Sequence, residues 1–327
     1  MKDRRTEEEN PEIENWEFIT VEAEAQGRRL DKLLSELQPA LSRTYLQKLI
    51  DNGRILVDRK QAKAGLNLRA GQEIAISIPE PEMLDVLPEP LPLDILYEDD
   101  DVILINKGKN MVVHPAAGHY TGTLVNGLLY HCGNRLSGIN GILRPGIVHR
   151  IDRNTTGVLV VCKNDHAHQC LSDQLKVHSI TRKYNALVHR AFSHPTGRVE
   201  GPIGRHPTDR TKMAINEKNG KPAATNYDVL ENFGLNYAHV ECQLETGRTH
   251  QIRVHLASIG HPLLGDDVYG KPKDGFHLQG QALHARILGF RHPSTGRYVE
   301  FEAPLPDYFT ELEEKLRRMC GGNKTRA

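Results

Sequence analysis

Five prolines within fourteen residues constrain this chain more than any other feature. Pro79, Pro81, Pro88, Pro90 and Pro92 each lack the backbone N–H that a helix or sheet ladder needs, so no element propagates through the stretch. The segments on its two sides must therefore fold separately. Charge changes sign across the same boundary. Arg28 to Arg69 holds ten Lys/Arg against four Asp/Glu, whereas Ala70 to Asn106 holds ten Asp/Glu and no Lys or Arg. The chain as a whole has 42 of each sign, so its zero net charge hides a basic segment of the kind a phosphate-binding face requires.

Patterning on either side supplies the outline. Residues 1–17 read as a disordered acidic tail. Leu30, Leu33, Leu34 and Leu37 then recur at helical spacing until Pro39, and Ser42 suits the N-cap of a second helix, Arg43 to Asp51, which Gly53 ends. With short strands at Arg54 to Val57 and Glu73 to Ile78, residues 18–79 form a small α+β module. Residues 80–96 read as an acidic linker. From 97 to 306 the chain is strand-rich, with strands expected at 102–106, 146–151, 157–163, 181–189, 223–231 and 237–244, and helices at 122–131, 166–176 and 251–258. Strands outnumber helices and do not alternate with them, which predicts an α+β fold with a mixed or antiparallel sheet. Residues 307–327 give an amphipathic helix, Asp307 to Met319, and a basic tail.

Several function classes drop out. No apolar run approaches the length of a membrane span, and the charged N-terminus has no signal-like apolar stretch. The five cysteines show no CxxC spacing, which favours reduced thiols in the cytoplasm. Motifs for zinc proteases, P-loops, dinucleotide folds and GxSxG hydrolases are missing, so neither metal nor cofactor is expected.

Three clusters remain that could carry chemistry. Pro145 to Gly157 reads as strand, polar turn and strand, and places Asp152 between Arg150 and Arg153, where a carboxylate can act as nucleophile or base. The same residues also suit an ordinary turn, since Asp, Asn and Gly are turn-formers. In Leu244 to Leu256 a helix starts after Gly247, with Thr249 near its cap and His250, Arg253 and Val254 on one face. Arg253 there could pair with a carboxylate, hold a phosphate, or line an exposed basic edge. In Ser179 to Val188, alternation groups Tyr184 with Ala186 and Val188, as a core tyrosine or as a platform for a base.

Together these segments resemble the RluA-type pseudouridine synthases. His149 to Gly157 is similar to their HRLDxxTSG signature, Gly247 to Arg253 to their GRTHQIR segment, and Thr181 to Tyr184 to their K/E-Y segment. Asn106-Lys107, Val113 to Pro115 and Gly260 to Asp266 fit as well, and Arg205 to Met213 points towards the large-subunit synthase D subgroup. The N-terminal module resembles an S4 RNA-binding domain through Arg29 to Leu33 and Ser42 to Gly53. Ile151 and Thr156 depart from the signature conservatively, and Asn110-Met111 replaces a glycine-containing pair.

The resemblance implies cofactor-free isomerisation of uridines in 23S ribosomal RNA, free or in an assembling large subunit; a monomer is the default expectation, in the cytoplasm that the cysteines suggest. It implies that Asp152 is the catalytic aspartate, attacking C1′ or removing the 2′ proton, and that Arg253 pairs with it. Tyr184 would pack on the target base, and Arg150 would fill the helix as the uridine leaves. Arg28, Arg29, Lys32, Arg43 and Lys48 would grip RNA phosphates. Two other classes compete. One is a non-catalytic S4-type RNA- or ribosome-binding factor. The other is a metal-free glycosidase, which would need Glu245 or Asp266 as a second carboxylate.

Overall fold

A computed structural model describes all residues except 1–15, 39–42, 78–85, 116–118, 134, 140–143, 210, 271–274 and 322–327, together with the side chains of Arg43, Thr44, Tyr45 and Lys48. The expected acidic tail up to residue 15, the Ser42 cap, Pro79, Pro81, the basic tail, and the phosphate contacts of Arg43 and Lys48 therefore lie outside the described residues. The chain divides into two compact units, residues 1–83 and 84–327. No described helix is long and apolar enough to cross a membrane.

The first unit packs two helices on one small sheet. Its elements are β1 (Trp16–Thr20), α1 (Leu30–Leu37), α2 (Arg43–Asp51), β2 (Ile55–Val57), β3 (Lys60–Gln61) and β4 (Glu73–Ser77), with antiparallel strand order β1-β4-β2-β3. Leu30, Leu33 and Leu34 of α1 meet Leu46, Leu49 and Ile50 of α2 and Ile55, Ile74 and Ile76 of the sheet in one core, whereas Leu37, expected in the same stripe, is exposed at the end of the helix. The β2–β3 turn holds Asp58 and Arg59 both at positive φ, the twist that a two-residue hairpin needs.

The second unit is built on one large mixed sheet. Its elements run β5 (Ile95–Glu98), β6 (Val102–Lys107), α3 (Leu124–Cys132), β7 (Thr156–Cys162), α4 (Asp165–Lys176), β8 (Thr181–His189), β9 (Thr196–Glu200), β10 (Ile203–Arg205), β11 (Met213–Ile215), β12 (Ala224–Phe233), β13 (Tyr237–Leu244), α5 (Gln251–Ser258), β14 (Leu283–Arg291), β15 (Tyr298–Glu302) and α6 (Asp307–Met319). The strand order is β5-β6-β7-β14-β8-β13-β12-β9, with β15 beside β14, and only β7 and β14 run parallel. Beyond it, β10 and β11 form a separate hairpin. The fold is α+β with a mixed sheet, as the patterning predicts.

Both faces of the sheet centre are covered, which is why β6 and β7 read as unbroken apolar runs. Ile103, Ile105, Leu159 and Val161 face α3, whereas Val102, Leu104, Val158 and Val160 share a core with Ala167 and Leu171 of α4. Further along, Tyr184, Ala186 and Val188 of β8 join Ala238, Val240 and Cys242 of β13 against Ile252 and Leu256 of α5. Tyr184 thus keeps the face that alternation gave it, and that face carries the site.

Two expectations need correction. Gly146 to Ile151 is not a strand. Only Ile147 makes an isolated bridge, to Val161, because Gly146 turns at φ 71° against the β7 backbone. The proline-rich stretch from residue 86 is a strap rather than a free linker. Val86 and Leu93 join the α3 core, Glu89 N–H donates to Asn126 O, and Asn126 Nδ2 donates to Leu87 O. Prolines suit a strap because it asks for no sheet ladder. The amphipathic helix α6 has its expected bounds and buries Phe309, Leu312 and Leu316 against Leu187, Phe233 and Leu264.

Candidate active site

The loop 148–155 enters β7 under tension from several sides. Ile151 is buried in the core beside α5, and His149 Nε2 accepts the Val160 N–H at 3.0 Å. Gln281 Nε2 donates to Thr155 Oγ1 at 2.9 Å. Lys107, 1% exposed, donates from Nζ to the carbonyls of Gly108, Met111 and Arg153 at 2.8, 3.0 and 2.9 Å. Burial pushes the Lys107 ammonium down to about 7, and Asp152 pulls it back up. With its neighbours committed to backbone and core, Asp152 is held half-buried at a cavity wall.

Opposite it stands the first turn of α5. Arg253 donates from Nη1 to Asp152 Oδ2 at 3.0 Å, and from Nε and Nη2 to the two oxygens of Asp266 at 2.7 and 2.9 Å. Asp266 Oδ1 also accepts the N–H groups of Val268 and Tyr269, both at 3.0 Å. A guanidinium gripped along one edge can offer only its remaining end, so Asp266 fixes where Arg253 meets Asp152. Burial works to lower the Arg253 pKa, but the hydrogen bonds and charge of Asp266, then Asp152, hold it above the ordinary value. Burial likewise raises Asp266, and Arg253 outweighs it and keeps that carboxyl below its usual range.

His250 completes this side. It precedes α5 at φ 56°, a left-handed position rarely taken by a side-chain-bearing residue. Its Nδ1 lies 2.8 Å from Tyr269 Oη and its Nε2 3.9 Å from Asp152 Oδ2. Burial lowers its pKa against the pull of Asp152. Thr249 stands next to the N-cap residue, His250, as expected, but no side chain of the cap bonds to the helix. Gln251 Oε1 accepts from Arg248 N–H at 2.9 Å and from Thr246 Oγ1 at 2.8 Å instead, so a side chain inside the helix orders the turn before it.

Together these parts enclose a cavity of about 330 Å³ lined by Arg150, Asp152, Arg182, Tyr184, His250 and Arg253 among others. Burial pushes the Tyr184 phenol above its ordinary value. All four residues expected in the large unit meet here, although Asp152 and Arg253 are 101 positions apart. Arg150 is exposed, with Nη1 3.5 Å from His114 Nε2. Asp152 is the one carboxylate among the described lining residues. Of the two acids a glycosidase could recruit, Asp266 is taken by Arg253 and Glu245 by Arg198 at 2.8 Å.

In the first unit the expected phosphate ligands diverge. Arg28 pairs with Glu36, Arg29 grips Asp31 through Nε and Nη2 at 3.0 and 3.1 Å, and Lys32 is exposed. Sequence reasoning placed His250 beside Arg253 without giving it a role, and missed Arg182 and the bracing role of Asp266. For Asp266 a signal existed, an acid directly after the apolar Pro262-Leu-Leu-Gly run and paired in sequence with Asp267, which needs a cation partner if buried. Among the described residues one cluster has metal-like spacing, Glu98, His131 and Cys132, but Lys163 Nζ already stands 2.7 Å from Glu98 Oε1.

Comparison with known proteins adds independent findings. Residues 101–258 match the family described as RNA pseudouridylate synthase, and residues 28–74 match the S4 domain. An uncharacterized RNA pseudouridine synthase of Bacillus subtilis is 53% identical over 300 residues, 92% of this chain and 98% of that one. Ribosomal large subunit pseudouridine synthase D of Zymomonas mobilis is 45% identical over 304 residues, 89% and 94% of the two chains. Among solved structures, human RNA pseudouridylate synthase domain containing 1 is similar with a TM-score of 0.54 and 25% identity, over 73% of this chain and 97% of that one.

Proposed function

Because the chain belongs to the RNA pseudouridine synthases and carries an S4 domain, we propose that it isomerises uridines of 23S ribosomal RNA, with Asp152 as the catalytic carboxylate. The 23S assignment rests on relatives named as large-subunit synthases D. The observation that carries the site is the single cavity carboxylate, anchored through Oδ2 by an arginine that a second, buried aspartate holds still. Both recorded contacts of the carboxylate fall on Oδ2, so Oδ1 is left to reach the ribose, at C1′ or at the 2′ proton.

The other residues take roles that suit their places. Tyr184 packs on the extruded base within the cavity, and the bound base itself covers the sugar against water. Arg150, exposed at the cavity wall, occupies the space the uridine vacates in the RNA. The first unit holds RNA by its phosphates, and the protein works as a monomer in the cytoplasm. A binding factor without chemistry would need neither the enclosed carboxylate nor its two-layer brace.

Tritium release from 23S transcript labelled at C5 of uridine tests this. The wild-type protein should release it, since C5 loses its hydrogen only when a bond forms there, and Asp152→Asn should not. Equal release by both would remove Asp152 from the catalytic role.

A further inference from the structure

Arg182 lies two residues before Tyr184 on β8, so both side chains share the sheet face that lines the cavity. It is 6% exposed, and among the described residues its Nε and Nη2 have no hydrogen-bond partner. That is the same edge with which Arg253 grips Asp266 and Arg29 grips Asp31. Among the described residues no carboxylate pairs with Arg182. Burial lowers the Arg182 pKa, the neighbouring Tyr184 pulls it back up in part, and Arg248 lowers it again. Gly247 closes over the group, where a Cβ would collide with Nη1. A buried cation with a vacant fork is costly for the fold, and such an arrangement persists where a ligand completes it.

Given Asp152 as the residue that acts on the ribose, we propose that Arg182 is a catalytic residue whose free fork binds an oxygen of the departing uracil and stabilises it as an anion. When the C1′–N1 bond breaks, its electron pair leaves with N1, and the charge spreads onto O2 and O4. C1′ is then bonded to Asp152, or doubly bonded to C2′ if Asp152 has taken the 2′ proton. The base turns and C5 bonds to C1′ as the C1′–Asp152 bond breaks, its electron pair returning to the carboxylate, or, on the other route, as C2′ takes its proton back from Asp152. C5 then loses its proton and N1 gains one, so the RNA keeps its composition and Asp152 is restored. A donor pair fixed before reaction and shielded from water is suited to this transient charge. A phosphate is the weaker match, because a phosphodiester continues as chain on both sides and stays near the surface, whereas a flipped base is the flat group that enters deepest.

Single-turnover tritium release, RNA affinity and melting temperature of full-length Arg182→Met, measured beside Asp152→Asn, decide it. We expect release slowed by about 100-fold or more, unchanged RNA affinity, and a melting temperature equal to or above that of the wild type, because the variant removes an uncompensated buried charge. Arg182→Lys, which keeps a cation without the fork, should recover part of the rate. Gly247→Ala, which displaces the guanidinium but leaves it in place chemically, should also be slow. A wild-type rate in Arg182→Met overturns the proposal. So does reduced affinity with a normal rate at saturation, which marks a phosphate contact, and so does a lowered melting temperature, which marks a structural partner. If Asp152→Asn still releases tritium, the reading of the site itself fails first, whatever Arg182 does.

Discussion

His149 stands next to Arg150 and three residues before Asp152, yet its ring is committed to the backbone. Nε2 accepts the Val160 N–H, so the ring holds its hydrogen on Nδ1 and cannot take a second proton without losing that bond. Burial first, and Arg182 second, push its pKa down to about 3. Linkage sets the sign. The unfolded histidine binds a proton near its ordinary pKa while the folded one does not, so stability is full above about pH 6.5 and declines as pH falls towards 3. By about pH 5 the loss from this residue is roughly 2 kcal/mol. His149→Gln keeps an acceptor for Val160 but does not titrate. Its melting temperature should therefore fall less than the wild type's between pH 7 and 5, and parallel curves would show that His149 is not a source of acid lability. At this scale the sequence was informative about partners and poor about braces. Asp152, Arg253, Tyr184 and Arg150 were visible as chemical types in dense motifs. No local pattern says that Arg253 will be shared between an acid 101 residues away and another 13 residues away.

Elements were legible where one periodicity ruled them. β8, β13, α5 and α6 have the bounds their alternation or helical spacing predicts. β14 was not anticipated, because a central strand carrying His284 and Arg286 shows neither alternation nor a continuous apolar run. Its junction with β7 explains a residue that looked like a plain turn-former. Gly157 has φ 108°, and a Cβ there would run into Ala285 O and lie 2.7 Å from Ala285 N, at one of only two residue pairs that join β7 to β14 in parallel. Beside it, Thr156 Oγ1 lies 2.8 Å from buried His284 Nδ1. The strand cannot retreat without opening the sheet directly after the Asp152 loop. Gly157→Ala should cost roughly 3 kcal/mol or more in denaturant unfolding, through strain at positive φ together with overpacking. An unfolding midpoint like that of the wild type would mean that β14 yields freely there.

For the molecule as a whole, charge is separated along the chain, and RNA binding should track that separation rather than the zero total. The first unit's cations are not equivalent. Arg28 and Arg29 are neutralised by Glu36 and Asp31, whereas Lys32, Arg54, Lys60 and Lys63 are exposed with no ion pair among the described residues. A cation already paired within the fold displaces few counterions when RNA arrives, and a free one displaces about one for each phosphate it meets. The resemblance of the N-terminal module pointed to the paired arginines as readily as to Lys32, because sequence shows charge but not its partner. Lys60→Gln with Lys63→Gln should therefore weaken RNA binding and flatten its dependence on salt, by about 0.7 to 0.9 in the log–log slope for each phosphate no longer neutralised. The single-turnover rate at saturating protein should stay at the wild-type value, since neither lysine lines the cavity at Asp152. Arg29→Gln should instead act on the fold, leaving the 4% exposed Asp31 without its bidentate partner. Anisotropy titrations of labelled RNA across potassium chloride concentrations separate the two. A slope that the double lysine variant leaves unchanged, or that Arg29→Gln lowers as much, would place the phosphate contacts on the arginines after all.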